Sequence, residues 1–411
     1  MKILIIASLF RPYARGGAEI VAQTIADELK QTHEVIILTT GIWHGFRSLA
    51  PRGREEDGLT VYRFYPLNIF SFPSIEEGKS FFIRLIWHAC ALFNAHSYAA
   101  ARFVIAKEKP DRIYTHNLTG LGFLVPAAVR HARVPWIHTV HDVQLGIPSG
   151  VLIEKKAGVM VADPLFSISR IYSVLMRTAM VSPSSVVYPS QFLRTFYDRK
   201  KFFPASNKYV IQNPIPSAMK FTYEEFEEAL HARLQALGRN EMFFSYVGLL
   251  KAHKGLPDLL AAFFRLNNPN ARLVIAGTGT LFDTVARLAQ QDSRIMMKGH
   301  VSREGVRQLL SQTHCTVVPS LLCENAPMVI QESFAAGVPV IAARSGGAAE
   351  RVREGENGFS YPPGDVTLLA HALDRLAKLT NKEYETMSTR AYQTVRDDTA
   401  NLYCKKLLTL F

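Results

Sequence analysis

Residues 319–339 read Pro-Ser-Leu-Leu-Cys-Glu-Asn-Ala-Pro-Met-Val-Ile-Gln-Glu-Ser-Phe-Ala-Ala-Gly-Val-Pro and hold two carboxylates, Glu324 and Glu332. A buried strand is expected to end at Pro319, and a loop then carries Glu324 and Asn325. Pro327 suits the first turn of a helix and Gly337 suits its stop. A helix starting there leaves the amides of Met328 and Val329 as free donors, and such a terminus attracts phosphate. Glu324 stands in the loop at that end, and Glu332 lies inside the helix, within reach of the same pocket. Two carboxylates beside a phosphate site suit paired hydrogen bonds to the hydroxyls of a sugar or a ribose. The competing reading makes Glu324 a favourable charge near a helix N-terminus and Glu332 a solvated helix residue.

Other residues carry chemistry less specifically. His141 follows a short apolar run and precedes Asp142, so it can face a ligand or simply be satisfied by that carboxylate. His138 lies within the run and is expected to pack. Gly277-Thr-Gly279 opens like a dinucleotide fingerprint, but Phe282 stands where the third glycine belongs. Lys298-Gly299-His300-Val301 follows the next apolar run. The loop at 344–347 ends in Gly346-Gly347.

The elements that must position these residues alternate short apolar runs with helical patterns, the signature of parallel βαβ units. Strands are expected at 2–9, 34–39, 60–64, 112–116, 136–140, 186–189 and 209–212. Helices are expected at 18–30 and near 122–132. A polar helical stretch, 217–238, links the halves. The pattern then restarts, with strands at 243–248, 272–276, 294–298, 316–319 and 339–342. A last helix is expected near 391–410. The fold class is therefore α/β: two Rossmann-like, doubly wound domains, 1–216 and 217–394, facing across a cleft, with 395–411 packing back on the first. Such sheets bind ligands at the carboxyl ends of their strands.

The segment from Glu324 through Glu332 to Gly346-Gly347 resembles the donor-site signature of glycosyltransferase family 4, whose members are retaining enzymes of the GT-B fold. Further segments match in order. Gly16-Gly17-Ala18-Glu19 resembles the family's N-terminal glycine loop. Tyr114-Thr-His116-Asn117-Leu and Thr139-Val-His141-Asp142 resemble its two first-domain histidine motifs. Tyr188-Pro-Ser190-Gln-Phe-Leu and Ile211-Gln-Asn213-Pro214 resemble the segments closing that domain. Tyr246-Val-Gly248-Leu-Leu-Lys251-Ala-His-Lys254-Gly255 resembles its phosphate-binding loop. The resemblance implies a transferase that uses a UDP- or GDP-linked sugar without a metal or other cofactor. His141, Lys254 and Glu324 take the catalytic roles. Gly16, Gly17, Lys251, Gly277, Val301, Asn325, Ala326, Met328, Val329 and Glu332 hold the donor. The departing diphosphate gathers negative charge, which cations and amide dipoles must hold; Lys254 is the obvious cation. The family often has Arg after the glycine at 248, where this chain has Leu249. Lys251 or another basic residue then supplies the second charge, or one charge suffices. The implied acceptor is a glycan or a lipid-linked glycan. Alternatives are a non-hydrolysing nucleotide-sugar epimerase and a non-catalytic nucleotide-sugar-binding module.

Composition agrees with this. The 411 residues are 48% apolar and 20% charged, which excludes wholesale disorder. Residues 1–216 carry 25 Lys/Arg against 15 Asp/Glu, a net +10 of the chain's +12. The front half is expected to meet something acidic. Basic runs interleaved with aromatics are lacking, so nucleic acid is not expected. Residues 81–93 are apolar but interrupted by Arg84 and His88, too short a stretch to span a bilayer. As an amphipathic helix the stretch either faces the core or docks on an anionic membrane, with Lys79, Arg84 and Arg102 nearby. Cys90, Cys315, Cys323 and Cys404 have no metal spacing. With no secretion signal in the opening residues, a cytoplasmic protein is expected, peripheral on the inner face of the cell membrane if the docking reading holds.

Overall fold

The computed structural model describes residues 1–14, 16–70, 81–155, 159–161 and 166–411. The chain divides into two compact units. Met1–Gly150, Leu165–Pro214 and Ala400–Phe411 form the first, and Val151–Pro164 with Ile215–Thr399 form the second.

In the first unit the strands are β1 (Lys2–Ile6), β2 (Glu34–Thr40), β3 (Arg52–Glu56), β4 (Leu59–Phe64), β5 (Arg112–Thr115) and β6 (Trp136–Thr139). The second unit's inserted segment carries β7 (Ile153–Lys155) and β8 (Val159–Val161). The first unit resumes with β9 (Ser185–Tyr188) and β10 (Asn207–Val210). Among the described residues its sheet has eight strands in the order β10-β9-β6-β5-β1-β2-β4-β3. Every pairing is parallel except that of β3 with β4. Ile3, Leu4, Ile5 and Ile6 are wholly buried, as expected of a central strand covered on both faces. Three strands went unread in the sequence. β3 is Arg-Gly-Arg-Glu-Glu, a mostly exposed edge strand with no apolar alternation. β7 and β8 span three residues each.

The second unit holds β11 (Met242–Val247), β12 (Ala271–Ala276), β13 (Ile295–Gly299), β14 (Cys315–Val318), β15 (Val340–Ala343) and β16 (Gly358–Tyr361). They form a parallel sheet in the order β13-β12-β11-β14-β15-β16, with β16 also unread in the sequence. Chain reversals from β11 out to β13 and back to β14 make a switch point beside β11, where a doubly wound sheet opens its ligand crevice.

Two elements differ from the sequence reading. Residues 217–238 are no linker. The helix Tyr223–Gly238 begins on a Thr222 cap, buries Phe226 and Leu230, and sets Arg233 in the second unit's interior. The Arg233 guanidinium donates to the Ala336 carbonyl at 3.0 Å. The final helix is two, Asn381–Thr394 and Ala400–Leu408. Asp398 sits in the break, paired with Arg351 and accepting from Gln331 Nε2 at 3.2 Å. The last helix belongs to the first unit, where the Tyr403 hydroxyl meets that of Tyr114 at 3.0 Å.

The helix Phe81–Leu92 turns Trp87 and Ala91 inward, and Trp87 donates its indole N–H to the Phe70 carbonyl at 2.9 Å. Ile83 and Ile86 are exposed on it, and Phe93 just beyond. Lys79 and the side chain of Arg84 lie outside the described residues. Among the described residues no helix is long and apolar enough to cross a membrane. None of the four cysteines forms a disulfide, and Cys90 alone is exposed.

Candidate functional site

The loops leaving β11, β12, β13, β14 and β15 share the carboxyl edge of the second sheet. Main-chain bonds tie them together. The Leu250 N–H donates to Thr278 at 2.9 Å, Gly277 to Gly299 at 2.7 Å, Leu321 to His253 at 3.0 Å, and Gly347 to Glu324 at 2.6 Å. Gly255 has φ +74°, and a Cβ there would fall 1.8 Å from the Pro319 carbonyl oxygen. The β11 and β14 loops touch backbone to backbone at that point, which only glycine allows.

This contact brings Lys254 to Glu324. Lys254 Nζ lies 2.7 Å from Glu324 Oε1, and Ser320 Oγ donates to the same oxygen at 2.7 Å. The side chains keep 27% and 18% of their exposure, so the pair is worth about 1 kcal/mol or less. A phosphate can take the ammonium and a hydroxyl can take the carboxylate at little cost. Nearby, Asn325 Oδ1 is buried without a partner. Ala326 is half-buried beside it. The helix Met328–Ala335 follows, with Pro327 as its cap rather than in its first turn. No side chain caps that terminus, so the first amides, at Met328 and Val329, have no helical acceptor.

Glu332 is buried, at 8% exposure, which excludes the solvated reading. Burial raises its pKa, and Arg303, whose Nη1 donates to Oε1 at 3.2 Å, pulls it back. Neither Arg303 nor Ser320 was singled out in the sequence. Arg303 opens the helix Arg303–Gln312 two residues after Val301, and nothing in its spacing ties it to Glu332. Lys251 is half-buried at the start of the short turn Ala252–Lys254. Burial, then the charges of Lys254 and Lys251, hold the His253 pKa below its ordinary value. The two ammonium groups therefore share one neighbourhood. Leu249 is 49% exposed and its carbonyl accepts from the Tyr246 hydroxyl at 2.7 Å.

In the first unit the ends of β1, β5 and β6 gather the remaining residues. Gly16 caps the helix Gly17–Leu29 in extended conformation, and its N–H donates to Glu19 Oε2 at 2.7 Å. His116 Nδ1 and His141 Nε2 share a hydrogen bond of 2.8 Å, with their rings stacked at 5.1 Å. Burial lowers both pKa values, to about 3 for His141. The pair is therefore neutral at pH 7, and one ring nitrogen donates to the other. His116 Nε2 is buried without a partner. Asp142 does not satisfy His141 in the way the competing reading had it. It accepts from Asn117 Nδ2 at 3.0 Å and from the Gln144 N–H at 2.8 Å. Burial raises its pKa, and those two bonds oppose the rise. His138 is packed, as expected, bonded to Thr115 Oγ1 at 2.8 Å. Among the described residues no three His, Cys, Asp or Glu side chains gather as a metal site.

Two such units, each a doubly wound sheet with its loops at the strand ends, define the GT-B class of glycosyltransferase architecture. The Anabaena protein HepE, solved in complex with UDP, superposes with a TM-score of 0.69 at 20% identity, over 100% of both chains. Sucrose-phosphate synthase of Thermosynechococcus elongatus superposes with a TM-score of 0.74 at 19% identity, over 100% of this chain and 98% of that one. In sequence, the glycosyl transferase 4-like domain profile matches residues 16–214, and the glycosyl transferases group 1 profile matches 231–394. An uncharacterized glycosyltransferase of Methanocaldococcus jannaschii is 24% identical over 98% of both chains. The chain belongs to the family 4-like glycosyltransferases of the GT-B fold.

Proposed function

We propose that the protein moves a sugar from a UDP- or GDP-sugar to a hydroxyl of a glycan or lipid-linked glycan, with retention at the reacting carbon and without a metal. Polysaccharide or glycolipid synthesis on the cytoplasmic side of a membrane is the setting this reading implies. The observation that carries it is the Lys254–Glu324 pair set beside the uncapped helix start at Met328. Lys254, with Lys251 beside it, takes the diphosphate, and the amides of Met328 and Val329 share its charge. Glu324 accepts from hydroxyls of the donor sugar, with Asn325 and Ala326 alongside. Buried Glu332, held by Arg303, accepts from the ribose. Gly277 and Val301 border the base. Gly16 and Gly17 approach the phosphates, and His141, neutral and held by His116, contacts the sugar near its reacting carbon. In the step itself the bond from that carbon to the diphosphate oxygen breaks while the acceptor oxygen bonds to the same face. The acceptor's proton passes to the departing diphosphate. The first unit binds the acceptor, and its charge together with exposed Ile83, Ile86 and Phe93 favours docking on an anionic membrane.

The test is a thermal-shift panel of nucleoside diphosphates, followed by turnover with the matching sugars. A true donor at about 100 times its Kd stabilises by about 2.7 kcal/mol. A shift with UDP or GDP and a glycosylated product with added acceptor support the reading. HepE, solved with UDP, makes UDP the first nucleotide to try. No shift with any diphosphate contradicts it. EDTA should leave turnover unchanged; loss that added metal restores would remove the metal-free part.

A further inference from the structure

The first unit holds a cavity of about 450 Å³ that none of these roles uses, walled by the β3–β4 hairpin and the loop after β2. Arg47, Arg52, Arg54 and Arg63 line it, with one carboxylate, Glu56. On the antiparallel ladder Arg52 stands directly opposite Arg63, and Arg54 follows two residues on, on the same face. Like charges set opposite each other cost stability, and here Glu56 pairs with Arg63 alone. Arg47, Arg52 and Arg54 have no ion pair among the described residues. Arg63 is largely buried, and its Nε has no acceptor.

The walls are pre-formed. The Gly41 N–H donates to the Phe64 carbonyl at 2.7 Å, and the Tyr65 N–H to Ser48 at 2.6 Å. Trp43 packs edge-on against Tyr65 with ring centres 5.3 Å apart, yet stays 47% exposed; Phe46 beside it is 84% exposed. Four guanidinium groups against one carboxylate leave an excess that one more carboxylate would not balance. The planar forks match the oxygens of a multiply charged phosphate group.

We propose that this pocket binds a phosphate or diphosphate group carried by the acceptor. The assignment to the acceptor rests on the reading of the first unit as acceptor-binding. Binding of the phosphate group itself does not.

The experiment titrates inorganic pyrophosphate into the full chain at low salt with UDP or GDP, whichever binds, at saturation, so that the donor edge is occupied. Wild type is expected to take up pyrophosphate. Arg52→Gln/Arg54→Gln should bind it about tenfold or more weakly, since charge-assisted bonds are lost. Both arginines are exposed, so the fold should hold, and unchanged affinity for that nucleotide confirms it. Arg47→Gln, on a separate segment, should weaken the same titration. Absence of pyrophosphate binding in wild type, or equal binding in all variants, overturns the proposal. Failure of both UDP and GDP to bind would instead sink the donor reading, and pyrophosphate binding lost in the arginine variants would still support the pocket. Vesicles of phosphatidic acid in phosphatidylcholine separate the sources. Retention by wild type but not by the double variant supports a lipid-borne phosphate. Free pyrophosphate binding without retention supports a soluble phosphorylated acceptor.

Discussion

At the scale of residues, Lys254 and Glu324 are paired with each other, and the proposed donor would take the place of each partner. Lys254→Ala removes the cation proposed to oppose the diphosphate, and turnover at saturating donor should fall about 10²–10³-fold. Near-normal turnover would take Lys254 out of the clamp. Glu332→Gln leaves the Arg303 guanidinium facing a neutral amide and weakens the acceptor proposed for the ribose. UDP affinity should drop by about 1–3 kcal/mol. Glu324→Gln should leave UDP affinity nearly unchanged and lower turnover of the whole sugar nucleotide. Equal losses of UDP affinity in both variants would remove the division of labour. The residue types of this site were legible because Glu324, Glu332 and Lys254 sit in segments that resemble the family motifs. Arg303 was not, because it meets Glu332 through a contact between two helices that share no local pattern. The pairing of His116 with His141 was hidden for a like reason. Their bond joins the ends of two strands 25 positions apart.

At the scale of elements, loops are held at the sheet edge by close backbone contacts. Gly255→Ala places a Cβ against the Pro319 carbonyl at a φ of +74°. The strained conformation costs about 1–3 kcal/mol. Denaturant unfolding of the variant should show that loss, and donor affinity should fall with it as Lys254 moves away from Glu324. Unchanged stability would mean the two loops separate without cost. The parallel strands were readable because both faces are covered and their apolar runs are continuous, as in Lys2–Ile6. β3 was unreadable because an exposed antiparallel edge needs no apolar side chains. The break between the last two helices was hidden because it depends on Asp398 meeting Arg351, 47 positions away.

At the scale of the whole molecule, buried imidazoles set the response to acid. His116, His138 and His314 are buried with pKa values held below 6.5, to about 3 for His138 and about 4 for His314. The unfolded chain takes up these protons as pH falls through 6.5, and the folded chain does not. Stability is therefore full above pH 6.5 and falls below it, by up to about 1.4 kcal/mol per pH unit for each group. Asp142 and Glu332 act the other way, since their raised pKa values let the folded chain protonate first. Those carboxyls are fewer and titrate from a lower starting value, so denaturant unfolding should show a net loss from pH 7.5 to 5.5. A flat profile would mean the imidazoles are not buried in solution.

The donor edge of the second unit is the central claim, and calorimetric titration of UDP and GDP into wild type and Lys254→Ala tests it most directly. One of the two nucleotides should bind wild type with a single site, and the variant should lose about tenfold or more in affinity, as a charge-assisted bond to phosphate requires. Equal affinity of the bound nucleotide for both proteins, or binding of neither nucleotide to wild type, would contradict the assignment.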